Sequence, residues 1–225
     1  MLEEHKRSFI KFMVDAKVLT FGDFVTKSGR KTPFFINTGL YNTGKQMHNL
    51  GRYYADTIAF SGLVKSSKPV VLFGPAYKGI PLVVTTAISL REMHAQICFN
   101  RKEAKDHGEG GSLIGYKPKD GDEIIIVEDV ITAGTSVRES MSLLKSVADV
   151  NVLGLVVSVD RMEKGQGSKS ALQEISEEFG IQTHSIVNLD DIVEYLYNKE
   201  IDGKILIDDS MKSKIDDYRA QYGIK

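Results

Sequence analysis

The stretch IIIVEDVITAGTS, residues 124–136, decides the fold because it joins a buried strand to a loop and a helix. Four apolar β-branched residues predict a strand, and Glu128 and Asp129 place two carboxylates at its end. The loop at 132–136 then offers hydroxyl groups, successive backbone N–H groups and the start of a helix, which together favour an anion. A ligand that suits both features carries hydroxyl groups as well as a phosphate.

Outward from this stretch, short β-branched runs alternate with segments of helical period, a pattern typical of a parallel sheet covered by crossover helices. The chain is predicted to form strands at residues 70–74, 96–99, 123–128, 152–159 and 183–187. Apolar stripes predict two covering helices, with Gly180 as the C-cap of the second: Val137, Met141, Leu144 and Ala148, then Leu172, Ile175 and Phe179. The predicted fold class is α/β, with a five-stranded, mainly parallel sheet flanked by helices.

The two ends of the chain differ from this pattern. Residues 1–68 predict a helix, two aromatic-rich strands joined by a Ser-Gly turn, and a second helix, which we interpret as a hood beside a core of residues 69–190. Residues 191–225 predict C-terminal helices. With no low-complexity linker between these parts, we expect a single domain.

Composition excludes several classes of protein. A formal net charge of −1 provides no global field for nucleic acid or anionic lipid. No stretch approaches the ~18 apolar residues of a membrane span, and no apolar signal segment opens the chain. The single cysteine, Cys98, lies in an apolar run and is interpreted as core. A cytoplasmic protein that binds neither nucleic acid nor membrane is expected.

Four further features accompany the acidic strand end. The segment GPAYKGIP, residues 74–81, follows the first predicted strand and provides Lys78 for a second anion. NRKEAKDHGEGG, residues 100–111, is charged and glycine-rich, typical either of a solvated loop or of a mobile functional one. VVSVDRMEKG ends a strand with Asp160 and Arg161, and KSGRKTPFFIN spans residues 27–37.

Taken in chain order, from Lys27 to Arg161, the segments resemble the motifs of type I phosphoribosyltransferases. VEDVITAGTS is similar to the phosphoribosyl pyrophosphate (PRPP) motif of the orotate phosphoribosyltransferases, and KSGRKTPFFIN resembles the orotate enzymes, with Thr32 where many have Ser. The resemblance implies the type I fold with a small N-terminal hood and a flexible catalytic loop. It also implies transfer of 5-phosphoribosyl from PRPP to N1 of orotate, giving orotidine 5'-monophosphate and pyrophosphate. Mg²⁺ is the implied cofactor, held mainly by PRPP and water rather than by protein ligands.

The resemblance also implies roles for individual residues. Those for PRPP are Lys27, Tyr77, Lys78, Glu128, Asp129, Thr132, Ala133, Gly134, Thr135 and Ser136. Those for orotate are Lys27, Phe34, Phe35, Thr132 and Arg161, and those for catalysis are Arg101, Lys102, Lys105, His107 and Asp129. A homodimer is implied, in which the 100–111 loop reaches the neighbouring active site.

Other interpretations remain open at this point. Phe34 and Phe35 also suit core packing, Arg161 suits an ion pair with Asp160, and a charged loop is most often merely solvated. A salvage enzyme for another base and a non-enzymatic PRPP-binding regulator would share the motifs. A dehydrogenase is disfavoured because no G-x-G-x-x-G follows a strand.

Overall fold

A computed structural model of the chain describes residues 4–26, 29–90, 93–102 and 112–224. Its centre is a six-stranded sheet in the order β5-β4-β3-β6-β7-β8. The strands are β3 Val71–Gly74, β4 Gln96–Asn100, β5 Leu113–Gly115, β6 Glu123–Val127, β7 Asn151–Asp160 and β8 Gln182–Asn188. Every pairing is parallel except that of β4 with β5. The α/β fold and all five predicted strands are confirmed.

The count of five strands was wrong, because β5 adds a sixth at the edge. Its three residues pair antiparallel with β4, so that Leu113 lies opposite Asn100 and Gly115 opposite Cys98. The N–H of Arg101 also donates to the carbonyl oxygen of Ser112 at 2.7 Å. A three-residue run beside a charged segment shows no period of its own, and its partner strand makes it a strand.

Seven α-helices are present among the described residues: α1 Glu4–Asp15, α2 Gly44–Ser61, α3 Gly79–Ser89, α4 Thr135–Val147, α5 Ala171–Phe179, α6 Leu189–Leu196 and α7 Asp209–Tyr222. The predicted stripes are buried at Val137, Met141 and Leu144 in α4 and at Leu172 and Ile175 in α5. The inclusion of Ala148 was wrong, because the backbone becomes extended there, with φ −159°. Gly180 ends α5 at φ +66°, as predicted. None of the described helices has the length and apolar character needed to cross a membrane.

The core forms two apolar layers, one on each face of the sheet. Leu72 and Ile125 belong to one layer, with α1, α2 and α6, whereas Phe73 and Ile126 belong to the other, with α4 and α5. This alternation within buried strands explains their continuous apolar character, since both faces are covered. Cys98 is fully buried in the second layer, and burial raises the pKa of its thiol to about 12. Its interpretation as core is confirmed.

The predicted hairpin lies beside the sheet. Strands β1 Leu19–Val25 and β2 Lys31–Ile36 pair antiparallel, and a 3₁₀ turn at Thr38–Leu40 leads into α2. The C-terminal helix α7 packs against β2, where the rings of Phe34 and Tyr218 meet edge to face at 5.7 Å. A short hairpin, β9 Glu200–Ile201 with β10 Lys204–Ile205, precedes α7. The last helix of the chain therefore contacts the first hairpin.

Candidate active site

Three of the predicted segments meet at the carboxyl edge of the parallel strands. The acid pair, Glu128 and Asp129, directly follows β6, the 74–81 loop follows β3, and Asp160 ends β7. Because β3 and β7 both pair with β6 in parallel, their ends lie on either side of the acid pair. This edge is where open parallel sheets bind ligands.

The two carboxylates of the acid pair are buried and have different partners. Oδ2 of Asp129 accepts from Nζ of Lys78 and from Oγ1 of Thr38, both at 2.7 Å. The carboxylate of Glu128 accepts from Oγ of Ser136 at 2.9 Å and from the N–H of Asp129 at 3.1 Å. Asp129 thus bonds to the hood and the 74–81 loop, whereas Glu128 bonds to the 132–136 loop.

The different surroundings of Glu128 and Asp129 also shift their pKa values in opposite directions. Burial, followed by the negative charge of Asp129, raises the pKa of Glu128 to about 7. Burial also acts to raise the pKa of Asp129, but hydrogen bonds from Lys78, the N–H of Val130 and Thr38 outweigh it and lower that pKa. Asp129 is therefore the firmly ionised member of the pair, and Glu128 is the member that titrates near neutrality.

The backbone of the acid pair is held by two buried hydroxyl groups. The hydroxyl of Tyr54 in α2 donates to the carbonyl oxygen of Glu128 at 2.7 Å. Oγ of Ser158 in β7 donates to the carbonyl oxygen of Asp129 at 2.6 Å. The sequence did not predict Tyr54, Ser158 or Thr38 as site residues. Partners so far apart in the chain leave no local signal.

A cavity of about 140 Å³ adjoins Asp129. Lys78, Thr38 and Ser158 provide polar groups in its wall, and the remaining wall is mostly apolar: Tyr41, Met47, Leu50, Tyr54, Pro81 and Leu82. Asp129 therefore reaches open space although only 8% of it is exposed. Glu128 does not line this cavity, so the two acids are not equivalent for a ligand placed there.

The 132–136 loop ends at the start of α4. Gly134 has φ +71°, a conformation that glycine adopts without the steric cost of a Cβ, and it precedes the helix directly. No side chain of the described residues caps the first N–H groups of α4, while Thr132, Ala133 and Thr135 are exposed. A helix start without a side-chain cap beside exposed hydroxyl groups is suited to a phosphate.

The 74–81 loop folds tightly on itself. A Cβ added to Gly74 would lie 2.3 Å from the carbonyl oxygen of Gly79, so this close approach requires glycine. The peptide bond between Ala76 and Tyr77 is cis, and the N–H of Ala76 donates to Oδ1 of Asn100 at 2.7 Å. The loop that carries Lys78 is thereby fixed to the first residue of the 100–111 segment.

The structure places only part of that charged segment. Nζ of Lys102 lies 5.9 Å from the ring centroid of Tyr77, so Lys102 is close to the 74–81 loop. Arg101 is half-buried at the end of β4. Lys27, Lys105 and His107 lie outside the described residues.

The predicted base-binding residues do not all come together. The guanidinium carbon of Arg161 lies 4.6 Å from the ring centroid of Phe34, which is fully buried. Phe35 points to the other side of β2, where it is 39% exposed and stacks on Phe24. Arg161 is paired with Glu163 rather than with Asp160, whose carboxylate accepts from the N–H of Met162 at 2.8 Å. The open interpretation of an Arg161–Asp160 pair is thus replaced by a different partner.

Comparison with known proteins points in one direction. The model of the phosphoribosyl transferase domain matches residues 45–185. Proteins named orotate phosphoribosyltransferase from Clostridium beijerinckii and Clostridium acetobutylicum are 58% and 55% identical over the full length of both chains. Among solved structures, the orotate phosphoribosyltransferase of Francisella tularensis is 37% identical, with a TM-score of 0.80 over 96% of this chain and 99% of that one.

Proposed function

This chain belongs to the phosphoribosyl transferase family, among the orotate phosphoribosyltransferases, and we propose that it transfers the 5-phosphoribosyl group of PRPP to N1 of orotate. The products are orotidine 5'-monophosphate and pyrophosphate, in the pyrimidine pathway that leads to UMP. The observation that carries this proposal is the ion pair of the buried Asp129 carboxylate with the exposed Lys78, at 2.7 Å, in the wall of a cavity. The carboxylate of Asp129 would face the ribose, and the ammonium group of Lys78 would face its leaving group.

PRPP binding is assigned to the acid pair and the loops around it. The 5-phosphate binds the exposed loop and helix start, through Thr132, Ala133, Gly134, Thr135 and Ser136. Asp129 accepts hydroxyl groups of the ribose, since it alone of the acid pair reaches the cavity. Glu128 supports Ser136 in the geometry described here and meets the ribose if that bond opens. Tyr77 and Lys78 face the pyrophosphate.

Binding of PRPP replaces the ion pair within the protein. Asp129 exchanges Lys78 for ribose hydroxyl groups, and the Lys78 ammonium turns to the pyrophosphate. Because the Lys78 side chain is 63% exposed, this movement needs little repacking. Both charges keep a partner throughout, which avoids the cost of leaving a buried carboxylate unpaired.

Magnesium is the proposed cofactor, and the donors present suit a metal that arrives with its substrate. Among the described residues no group of three His, Cys, Asp or Glu side chains is arranged to hold a metal ion. Asp129 offers one hard oxygen ligand at the cavity, and Mg²⁺ is commonly bound by one or two carboxylates together with substrate phosphates and water. When bound it would neutralise negative charge on the pyrophosphate.

The base is assigned to the hood side of the site. Arg161 binds the carboxylate or a carbonyl of orotate, and its contact with Phe34 fixes the plane of the guanidinium. Thr132 borders both substrates, and Lys27 is proposed to meet both. Phe35 was expected to line the same slot, but it is exposed on the other side of β2. It would contact orotate only if the hairpin rearranged.

The protein contributes charge and position rather than covalent chemistry. As the C1–O bond to pyrophosphate breaks, N1 of orotate attacks C1 from the opposite face and its proton passes to the pyrophosphate formed, so the configuration at C1 inverts. The ionised Asp129 favours the developing oxocarbenium, while Lys78, Arg101 and Lys105 stabilise the departing charge. Lys102 and His107 complete this basic group. Closure of the 100–111 loop would exclude water from the reactive centre.

Assembly and location complete the proposal. A homodimer whose 100–111 loop reaches the neighbouring site is proposed from the family resemblance. A cytoplasmic location is proposed because the one cysteine is a buried free thiol, in keeping with a reducing compartment. Orotate, PRPP and the two products are the proposed partners, with no nucleic acid or membrane.

The direct experiment follows the fall in ultraviolet absorbance when orotate, PRPP and Mg²⁺ are mixed with the purified protein. Absorbance should fall in proportion to enzyme and should not change without PRPP. Uracil and the purine bases serve as competing acceptors at fixed PRPP. Preferential use of one of them would make the chain a salvage enzyme, and PRPP binding without turnover of any base would indicate a regulator.

A further inference from the structure

Glu163 lies at the centre of an ion cluster that the proposed mechanism does not use. Its Oε1 accepts from Nε of Arg161 at 2.8 Å, lies 2.6 Å from Nη2 of the same guanidinium, and accepts from the Tyr218 hydroxyl at 2.8 Å. Its Oε2 accepts from Nη1 of Arg30 at 3.1 Å. Only 13% of the Glu163 side chain is exposed. One carboxylate therefore joins the end of β7, the hood hairpin and α7.

This arrangement fixes one edge of the Arg161 guanidinium. Nε and Nη2 are engaged by Glu163, and the guanidinium lies against the ring of Phe34. Among the described residues, Nη1 of Arg161 has no hydrogen-bond acceptor. A planar fork held along one edge presents its other edge in a defined direction, which a lysine could not do.

The chain end also supports this cluster through its backbone. The N–H of Lys164 donates to the carbonyl oxygen of Tyr222 at 2.9 Å, and the N–H of Ile224 donates to that of Met162 at 3.0 Å. These two bonds flank Glu163 on both sides. The guanidinium of Arg30 lies 4.4 Å above the ring of Tyr222. The end of α7 thus holds the segment that carries Glu163.

We propose that Glu163 is a positioning residue for the base, acting through Arg161, and that Tyr218 and Arg30 in turn position Glu163. The inference rests on the proposed function, because orotate is the ligand that Arg161 would receive. Two guanidinium groups against one carboxylate leave the cluster with a net positive charge. It can therefore orient Arg161 without cancelling the attraction for an anionic base.

Steady-state kinetics of two full-length variants test the proposal. In Glu163→Ala the freed guanidinium loses its direction, and KM for orotate should rise about 10-fold, the scale of one charged hydrogen bond. KM for PRPP should change less than about twofold and kcat less than about threefold. In Glu163→Gln the amide oxygen still accepts from Arg161, so the rise should be only about threefold. Equal effects of the two variants would overturn positioning in favour of charge alone.

A matched control separates positioning from the general docking of α7. Arg219 in α7 pairs with Asp190 in α6 at 2.7 Å, an ion pair that includes neither Glu163 nor Arg161. Asp190→Asn should leave KM for orotate unchanged, and a rise equal to that of Glu163→Ala would overturn the inference. If Glu163→Ala does not fold, Tyr218→Phe decides, because it removes one hydrogen bond to Glu163 and keeps the ring; an unchanged KM there would also overturn it.

The proposed function and this inference fail in different ways. Wild-type turnover of orotate with an unchanged KM in Glu163→Ala overturns only the role of Glu163. A wild-type protein that does not consume orotate overturns both, since no base would then be positioned.

Discussion

The phosphate side and the base side of the site are held by different kinds of contact. On the phosphate side, residues 128–136 follow a single strand, and hydroxyl groups of Tyr54 and Ser158 hold their backbone. On the base side, Phe34 of β2, Arg161 after β7 and Tyr218 of α7 come from separate elements, and Arg161 contacts Phe34 while Glu163 joins Arg161 to Tyr218. The phosphate side therefore depends on backbone geometry and a buried charge, whereas the base side depends on successive contacts between side chains. Substitutions should therefore separate the two sides.

The largest effect is expected from a residue on neither side. Lys105→Ala should lower kcat by at least about 100-fold, because it removes one preorganised charge from the leaving group. KM for orotate and for PRPP should change little, which would show that chemistry is separate from both binding sides. Steady-state assays measure kcat and both KM values, and substitution of an exposed lysine, Lys119→Ala, is the control. An unchanged kcat would exclude the 100–111 segment from the mechanism.

The next effect isolates the phosphate side. Asp129→Asn should weaken PRPP binding about 10- to 30-fold, since a charged hydrogen bond to the ribose becomes a neutral one. KM for orotate should stay within about twofold. Calorimetry with PRPP and Mg²⁺ measures the first quantity. Asp122→Asn, at the opposite end of the same strand, is the control, and equal PRPP affinity of wild type and Asp129→Asn would refute the ribose assignment.

The reciprocal experiment isolates the base side. Arg161→Lys should raise KM for orotate about 10-fold, because an ammonium cannot bond to Glu163 and the base along two edges. PRPP affinity should be unchanged. Arg219→Lys, which alters the ion pair of Arg219 in α7 with Asp190 in α6, is the control. If Arg161→Lys weakened the binding of orotate and of PRPP equally, the two sides of the site would not be independent.

The smallest effect concerns stability rather than activity. The pKa of Glu128 is raised from 4.5 to about 7, so the folded protein keeps a proton that the unfolded chain loses. Stability should therefore fall as pH rises through this window. Glu128→Gln removes the ionisation and should stabilise the protein by about 1–2 kcal/mol at pH 8, and by less at pH 5.

Urea unfolding of both proteins at the two pH values measures this difference. If Glu128→Gln were no more stable than wild type at pH 8, ionisation of the buried Glu128 carboxylate would not reduce the stability of the fold. Glu128 has no cationic partner among the described residues, whereas Glu163 on the base side has two, and this contrast would then make no difference to stability.

Local patterns predicted what local residues build. The five strands each carry their own apolar run, and the acid pair with its loop lies within a single stretch of 13 residues, 124–136. These features require no knowledge of the remaining chain. Gly180 was predicted for the same reason, because a helix end is encoded within a few residues.

Contacts between distant residues were not predictable in this way. Thr38 and Asp129 are 91 positions apart, and Tyr218 and Glu163 are 55 apart, so nothing in either neighbourhood indicates the pair. Glu163 has a weak signal, because it lies two residues after Arg161, but Asp160 is nearer in the chain and was the predicted partner. Which acid pairs with the arginine depends on the turn at Met162, whose φ is +53°.

The antiparallel pairing of β4 with β5 makes the charged segment an exchangeable module. Asn100 and Leu113, which flank the segment, are paired at the edge of the sheet, so the ends of any inserted sequence start close together. Closing a loop twice as long costs only about 0.6 kcal/mol more. Longer or shorter versions from relatives could be grafted between Asn100 and Leu113 with nearly unchanged melting temperature, so turnover can diversify here while the scaffold stays the same.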